Sequence, residues 1–191
     1  MEFNCSPFIF WLFGIPGSGK STVAKKIAQK LTCPIEILDS DDIRERVTPK
    51  STWSDEERVM LYNSMVEISL RLFNHNISSI IAASAGGVDM DYYRKVFPPR
   101  TYYIYLDCEL ANASKRHPAG LYSAAKGTKM RLPIIRSTKN GKVNKNDIEY
   151  TKTNNLNSYN LVIPEHVDLI INTNNLTDIE SNIMNIITLI I

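Results

Sequence analysis

One segment near the start of the chain has the residue types and spacing of a phosphate-binding loop. Residues 14–22 satisfy the pattern Gly-x4-Gly-Lys-Ser/Thr. Glycines in such a loop let backbone N–H groups surround a phosphate, and the following helix N-terminus adds partial positive charge. The pattern predicts that Lys20 reaches the β- and γ-phosphates of a triphosphate and that Ser21 binds Mg²⁺. The predicted phosphate-binding residues are Gly14, Gly17, Ser18, Gly19, Lys20, Ser21 and Thr22.

The flanks of this loop agree with the motif. Residues 8–13 form an apolar run typical of a buried strand, and residues 21–31 carry apolar side chains at helical spacing. Because strand, glycine loop and helix occur in this order, the sequence predicts triphosphate binding rather than a chance glycine-rich turn.

The rest of the chain alternates between short apolar runs and helix-like segments. The runs at 35–38, 77–83 and 102–106 predict strands, and a capping box at 54–57 predicts a long helix that ends near Asn74. The apolar stripe of that helix is assigned to the core and comprises Val59, Leu61, Tyr62, Met65, Val66, Leu72 and Phe73. We therefore predict a three-layer α/β/α sandwich of the P-loop NTPase type with a mostly parallel sheet. Ligands bind such sheets at the carboxyl ends of the strands.

The composition is that of one ordinary globular domain. The chain has 191 residues, 43% of them hydrophobic, and its 22 basic and 20 acidic side chains give a formal charge of +2. This near balance argues against a general clamp for nucleic acid polymers or membranes. Three widely spaced cysteines favour a reducing cytoplasm over a disulfide framework.

Two features near the carboxyl end complete the predicted domain over 1–191. An Asn/Lys-rich insertion at about 136–158 contains Asn140-Gly141, which indicates a hairpin turn or an exposed loop. Residues 179–191 are predicted to form a terminal amphipathic helix that packs on the sheet.

Polar residues with a suitable chemistry follow the second predicted strand. Asp39, Asp41 and Arg44 stand where a parallel sheet presents its ligand-binding edge. Phosphoryl transfer needs a group that receives or positions the proton of the acceptor hydroxyl, and cations around the phosphoryl group. Asp41 and Arg44 suit these tasks. The alternative for Asp39, Asp41 and Asp42 is helix capping, since acidic residues are favoured at a helix N-terminus.

The order of motifs resembles the adenylylsulfate kinase family. The resemblance rests on the phosphate loop, on Leu-Asp-x-Asp-x-Ile-Arg at 38–44, on Trp-Ser-x-x-Glu-Arg at 53–58, and on segments 116–122 and 159–173. It spans nearly the whole chain. It implies an ATP- and Mg²⁺-dependent kinase that moves the γ-phosphoryl group to the 3′-hydroxyl of a nucleotide. Dimers are common in the family, so a homodimer is a compatible partner state, although no residue here identifies an interface.

The resemblance also implies roles for individual residues. Asp41 matches the acidic residue near the acceptor hydroxyl, so Lys20 and Asp41 are the implied catalytic pair. Arg116 falls in the segment that covers ATP. These roles add to the chemistry that the residue types themselves suggest.

The implied acceptor-binding residues include Asp39, Asp41, Arg44, Arg58 and Trp53. Arg44 and Arg58 match arginines that hold the anionic groups of the acceptor, and Trp53 matches one of two aromatic residues that sandwich its base. The alternatives are a solvated helix residue for Arg58 and a hydrophobic staple for Trp53.

The acceptor side departs from the family pattern at several positions. Met60 and Leu61 replace an acid and an asparagine, and Leu132 replaces the second stacking phenylalanine. Gly86 and Gly87, in place of a Ser-Pro pair, either let the backbone approach an acceptor or form a turn. Losing several polar contacts at once alters acceptor choice. The open alternatives are therefore the same chemistry on another nucleotide, such as cytidine diphosphoramidate, and a catalytically silent nucleotide-binding module.

Overall fold

The computed structural model describes residues 6–48, 54–84, 90–116, 133–134, 136–139, 142–148, 159–160, 164, 166–175 and 179–191. Its strands are β1 (Ile9–Phe13), β2 (Ile35–Asp39), β3 (Ser78–Ala82), β4 (Thr101–Asp107), β5 (Pro133–Ile134), β6 (Arg136–Lys139), β7 (Lys142–Ile148), β8 (Tyr159–Asn160) and β9 (Leu169–Asn172). Its helices are α1 (Lys20–Lys30), α2 (Ser40–Val47), α3 (Asp55–Asn74), α4 (Met90–Val96), α5 (Leu110–Arg116) and α6 (Ile179–Ile187).

Five of these strands form one parallel sheet in the order β2-β3-β1-β4-β9. The register places Leu12 of β1 between Ala82 of β3 and Ile104 of β4. Because all five strands run in the same direction, their carboxyl ends meet at one edge of the sheet. That edge is where open α/β sheets bind ligands.

The central strand, β1, is buried along its whole length. Ile9, Trp11 and Phe13 belong to one hydrophobic core and Phe10 and Leu12 to the other, since successive side chains of a strand alternate between faces. A continuous apolar run is what a parallel strand covered on both faces requires. Burial on both faces of the sheet explains the unbroken apolar run at residues 8–13.

The helices form a layer on each face of the sheet. On one face lie α1 and α6, which contribute Val23, Ala24, Ile27, Ile179, Ile183, Ile186 and Ile187. On the other face lie α3 and α4, which contribute Leu61, Tyr62, Met65, Val66, Met90 and Tyr93. The predicted α/β/α sandwich with a parallel sheet is confirmed.

The long helix α3 also has its predicted limits. The Ser54 hydroxyl oxygen accepts a hydrogen bond from the Glu57 backbone N–H at 3.2 Å, as the capping box predicts. After Asn74 the chain turns at Asn76, which has φ 60°, a conformation that asparagine tolerates better than most residues.

One residue of the predicted apolar stripe in α3 was assigned wrongly. Val59 is 44% exposed, whereas Leu61, Tyr62 and Met65 are buried. At about 100° per residue, positions 58, 61, 62 and 65 share the inner face of the helix, and position 59 begins the outer face. Arg58 consequently lies on the inner face and is only 8% exposed, which excludes the solvated alternative.

The insertion and the terminal helix agree with the predictions made from the sequence, with small differences. Strands β6 and β7 pair antiparallel with Lys139 opposite Lys142, in agreement with the hairpin predicted at residues 140–141, which lie outside the described residues. The terminal helix ends at Ile187 rather than Ile191, because the N–H groups of Leu189 and Ile190 bond to carbonyl groups three residues back. None of the helices in the described segments combines the length and apolar character that a membrane span requires.

Candidate active site

The predicted donor residues surround the carboxyl end of the central strand. Phe13 ends β1, residues 14–19 form the phosphate loop, and α1 begins at Lys20. The carboxyl ends of the two outermost strands of the sheet bring Asp39 of β2 to one side of this loop and Thr173, just after β9, to the other side. The parallel sheet thus gathers residues from distant parts of the sequence around one loop.

Two glycines of the loop are required for different physical reasons. Gly17 has φ +82°, and a Cβ atom there would overlap the backbone carbonyl group of Ala113 in α5. Gly19 has φ +96°, but a Cβ atom there would meet nothing within 4 Å. Glycine is therefore required at position 17 by both the backbone conformation and the packing, whereas at position 19 it is required by the backbone conformation alone.

Alanine substitutions at the two glycines are expected to lower stability by different amounts. We expect Gly17→Ala to lower the free energy of unfolding by at least about 2 kcal/mol, because strain and overpacking add. We expect Gly19→Ala to cost about 1 kcal/mol, since only strain applies. Urea unfolding of both variants measures the difference. Equal losses in the two variants would contradict the contact between Gly17 and α5.

Lys20 lies folded against the phosphate loop. Its Nζ donates hydrogen bonds to the carbonyl oxygens of Gly14 at 3.1 Å and Ile15 at 3.0 Å. Burial lowers the pKa of Lys20 from 10.5 to about 8, and the carboxylates of Asp41 and Asp39 partly oppose that shift. A lysine that is 9% exposed and held by two neutral carbonyl groups is poised to bind an anion in their place.

Asp39 connects the start of α1 with the start of α2. One carboxylate oxygen accepts the Asp41 backbone N–H at 3.0 Å, which caps α2 as the capping alternative predicted. The other carboxylate oxygen accepts the Ser21 hydroxyl at 2.5 Å. Asp39 is therefore both a helix cap and a neighbour of the phosphate loop, and these two interpretations do not exclude each other.

The donor atoms gathered here fit a triphosphate and a Mg²⁺ ion. The Ser21 hydroxyl and the Asp39 carboxylate supply adjacent oxygen ligands, which are the ligands that Mg²⁺ prefers. Within the described residues, the Ser18 hydroxyl is completely buried and has no hydrogen-bond partner. A buried hydroxyl in a glycine-rich loop is a polar group for which a bound anion would compensate.

The arginines expected on the acceptor side lie on α2 and α3. Arg44 is half-buried, and Arg58 is buried on the inner face of α3. The adjacent positions are apolar, with Met60 at 48% exposure and Leu61 fully buried in the core. Trp53, Gly86 and Leu132 lie outside the described residues, so their predicted roles stay predictions.

Arg116 lies on the opposite side of the phosphate loop from Asp39. Its guanidinium group donates to the carbonyl oxygens of Thr173 and Asn174, each at 2.6 Å. It also lies 3.7 Å from the Cys108 sulfur. Cys108 and Cys33 are buried and form no disulfide, and burial raises the pKa of the Cys108 thiol.

The contacts around Asn174 were absent from the sequence predictions. Its side-chain oxygen accepts hydrogen bonds from the Glu109 N–H and the Asn112 amide. Single asparagines and glutamates carry no sequence pattern that would have revealed these contacts. Only the pairing of β4 with β9 brings these residues together.

The fold and the loop together define the class of the protein. A parallel sheet with a Gly-x4-Gly-Lys-Ser loop between its central strand and the next helix is that of a P-loop NTPase. The sequence profile of the adenylylsulphate kinase family matches residues 6–136, and the chain belongs to that family. The family consists of ATP-dependent phosphotransferases that act on a hydroxyl group, so the predicted enzyme class and family are confirmed.

Individual relatives agree with this assignment. The protein of Archaeoglobus fulgidus named "Probable adenylyl-sulfate kinase" is 34% identical over 122 residues, which are 62% of this chain and 78% of that protein. The adenylyl-sulfate kinase of Bacillus licheniformis is 32% identical over 124 residues, which are 62% of each protein.

Solved structures support the fold. The Mycobacterium tuberculosis APS kinase CysC, in complex with AMPPNP and APS, superposes with a TM-score of 0.72 at 20% identity and covers 96% of this chain and 97% of its own. The protein APE1195 superposes with a TM-score of 0.67 at 23% identity, covering 97% of this chain and 95% of its own.

Proposed function

We propose that this protein transfers the γ-phosphoryl group of ATP to the 3′-hydroxyl of a nucleotide, with adenylylsulfate as the reference acceptor. The observation that carries the proposal is that the start of α1 faces the β2–α2 junction. The Ser21 hydroxyl donates to Asp39, and the Asp41 carboxylate lies close enough to favour the charged form of Lys20. A donor-phosphate cradle and an acidic group on the acceptor side are the two parts that such a transfer requires.

On the donor side, Lys20 leaves the carbonyl groups of Gly14 and Ile15 and binds the phosphates. This exchange replaces two neutral acceptors with an anion, so it stabilises the charged form of the lysine. The loop N–H groups hold the remaining phosphate oxygens. In the transfer step these fixed donors stabilise charge on the phosphoryl group without having to reorganise.

On the acceptor side, Asp41 accepts the proton of the acceptor hydroxyl or holds that hydroxyl in line with the phosphoryl group. Its position in the first turn of α2 leaves the carboxylate exposed to the edge of the sheet. Arg44 and Arg58 bind the anionic groups of the acceptor. Most of the rate enhancement then comes from positioning and electrostatics rather than from covalent chemistry.

Ser21 and Asp39 are the residues that would hold Mg²⁺. The chemistry that Mg²⁺ supplies when bound in such sites is neutralisation of negative charge on the phosphoryl oxygens. Asp39 also stabilises the start of α2, so its side chain links the metal ligands to the helix that carries Asp41.

A second acceptor class is favoured by the apolar positions on α3. Leu61 is fully buried in the hydrophobic core and Met60 carries only a thioether, which is a weak acceptor, so neither residue replaces the acid and the asparagine that the family has at these positions. A site without these polar contacts no longer distinguishes between acceptors by the groups that would form them. Cytidine diphosphoramidate is the alternative acceptor that we retain.

The proposal is tested by a side-by-side acceptor assay. The protein, ATP and Mg²⁺ are incubated with adenylylsulfate or with cytidine diphosphoramidate, and the 3′-phosphorylated product is quantified. A 3′-deoxy analogue of the active acceptor is the control, and it should give no product because the receiving oxygen is missing. Absence of transfer across a broad nucleotide panel, together with tight ATP binding, would favour the silent module instead.

The lowered pKa of Lys20 predicts how ATP affinity depends on pH. Below about pH 8 the lysine is already charged, and ATP binds without proton uptake. Above pH 8 each binding event must add a proton to Lys20, so the Kd for ATP rises by up to about tenfold per pH unit. Calorimetric titrations at pH 7, 8 and 9 measure this. The control is Lys20→Met, whose weaker binding should not change over this range, and an unchanged wild-type Kd would contradict the prediction.

A further inference from the structure

Helix α5 and the segment after β9 are joined at one end by the side chain of Asn174. The Asn174 side-chain oxygen accepts the Glu109 backbone N–H at 2.7 Å and the Asn112 side-chain amide at 3.0 Å. The Asn174 backbone N–H donates to the Asn172 side chain at 2.9 Å. These three bonds hold residue 174 by both its side chain and its backbone.

The other end of α5 is bonded to the same segment. Arg116 donates to the carbonyl oxygens of Thr173 and Asn174, and the Thr173 N–H donates to the Asp107 carbonyl at 2.8 Å. Residues 173–174 are therefore bonded to the start of α5, to its end and to the end of β4. We refer to α5 together with residues 173–174 as the α5 unit.

The α5 unit is in direct contact with the phosphate loop. The backbone of Ala113, in the middle of α5, lies so close to Gly17 that only a glycine fits there. This contact and the Arg116 bonds hold α5 against the loop independently of the Asn174 side chain, so losing the Asn174 hydrogen bonds loosens residues 173–174 and leaves the wall of the loop in place. Closely packed backbone segments resist displacement because protein interiors leave little free volume.

Strand order decides which part of the donor faces the α5 unit. The sheet runs β2-β3-β1-β4-β9, so the phosphate loop after β1 divides the carboxyl edge into two sides. Asp39, Asp41 and Arg44 occupy the β2 side, toward which the γ-phosphate must point. The nucleoside of the donor must then extend over the β4–β9 side, where the α5 unit lies.

We propose that Asn174 is a positioning residue for the nucleoside of the donor nucleotide. It acts through its own segment, residues 173–174, which its side chain holds against the start of α5 before ATP arrives. This inference rests on the proposed donor binding at the phosphate loop. Preorganising a binding surface raises affinity because the cost of ordering is removed from the binding step.

The test compares two ligands that share the phosphate loop but differ in the nucleoside. Mg²⁺-ATP occupies both the loop and the α5 unit, whereas Mg²⁺-tripolyphosphate occupies only the loop. We expect Asn174→Leu to raise the Kd for ATP about tenfold, since two hydrogen bonds that organise the segment are lost. We expect the Kd for tripolyphosphate to change less than about twofold.

Two further variants separate positioning from general support. Asn174→Asp keeps the accepting oxygen and should hold the Kd for ATP within about threefold of wild type. Asn185→Leu makes the same substitution at an exposed position of α6 and should leave both Kd values unchanged. If Asn174→Leu does not fold, Asn112→Ala, which removes one donor to the same oxygen, should raise the Kd for ATP about threefold.

Steady-state kinetics give a second readout of the role of Asn174. Asn174→Leu should raise the KM for ATP with kcat at saturating ATP nearly unchanged, because the reacting groups lie on the other side of β1. Equal weakening of ATP and tripolyphosphate, unchanged ATP affinity, or an Asn174→Asp variant as weak as Asn174→Leu would each overturn the inference. Failure of the proposed function would appear separately, as lack of transfer to every acceptor, while the binding comparison would still decide the role of Asn174.

Discussion

Replacement of Lys20 by methionine is expected to reduce phosphoryl transfer by about 1000-fold, because a fixed cation at the transferring group is lost. Methionine approximates the length of the lysine side chain and fills its space without the charge. Within the described residues, the Lys20 Nζ donates its hydrogen bonds to the Gly14 and Ile15 carbonyl groups before the donor binds, so the loss falls on the bound and reacting states. Single-turnover assays at saturating ATP measure the change in rate.

The same substitution should not lower the free energy of unfolding of the protein in the absence of nucleotide. The pKa of Lys20 is about 8 in the folded protein, against 10.5 as its ordinary value, so folding disfavours the charged form. This cost is fully present below pH 8 and disappears as the pH rises toward 10.5, because only the unfolded chain then retains the proton. We expect Lys20→Met to raise the free energy of unfolding at pH 7, on the order of 1–3 kcal/mol.

Urea unfolding at several pH values tests this linkage. The advantage of Lys20→Met over wild type should be largest at pH 7 and should shrink above pH 8 as the wild-type lysine loses its charge. A variant that is less stable than wild type at pH 7 would show that the carbonyl contacts outweigh the cost of burying the ammonium group. Normal transfer by a folded Lys20→Met protein would contradict the proposed donor site.

The second large effect is expected from Asp41→Asn, which should lower turnover by about 100- to 10,000-fold. An amide cannot take the proton of the acceptor hydroxyl, although it keeps the shape of the side chain. ATP affinity at pH 7 should be retained, since removing a carboxylate near the triphosphate reduces repulsion. Steady-state kinetics with saturating donor and acceptor, together with an ATP titration, measure both quantities.

Asp42→Asn is the matched control for Asp41→Asn. Both residues are exposed and lie in the first turn of α2, so each change removes the same favourable charge from the helix N-terminus. Only Asp41→Asn should reduce turnover. It should also move the pH midpoint of ATP binding below 8, because Asp41 supports the charged form of Lys20. Equal turnover in the two variants would remove the role assigned to Asp41.

Much of the fold follows from local patterns in the sequence. Strands β1 to β4 were predictable because each coincides with a short apolar run, and α3 was predictable because a capping box opens it and a helical stripe follows. The order of the strands was not predictable in this way. It depends on which apolar surfaces pack together across the whole chain, and no local window contains that information.

Part of the candidate site was likewise predictable from the sequence, and the rest depended on the tertiary structure. The sequence by itself determined the donor loop, because Gly17, Gly19, Lys20 and Ser21 lie within five positions and their geometry is local. Only the tertiary structure decided that Asp39, 18 residues further along, contacts Ser21, and that Asn174 contacts Glu109 across 65 residues. These contacts exist because β2 and β9 end at the same edge of the sheet as β1, which is a consequence of strand order and register rather than of residue type.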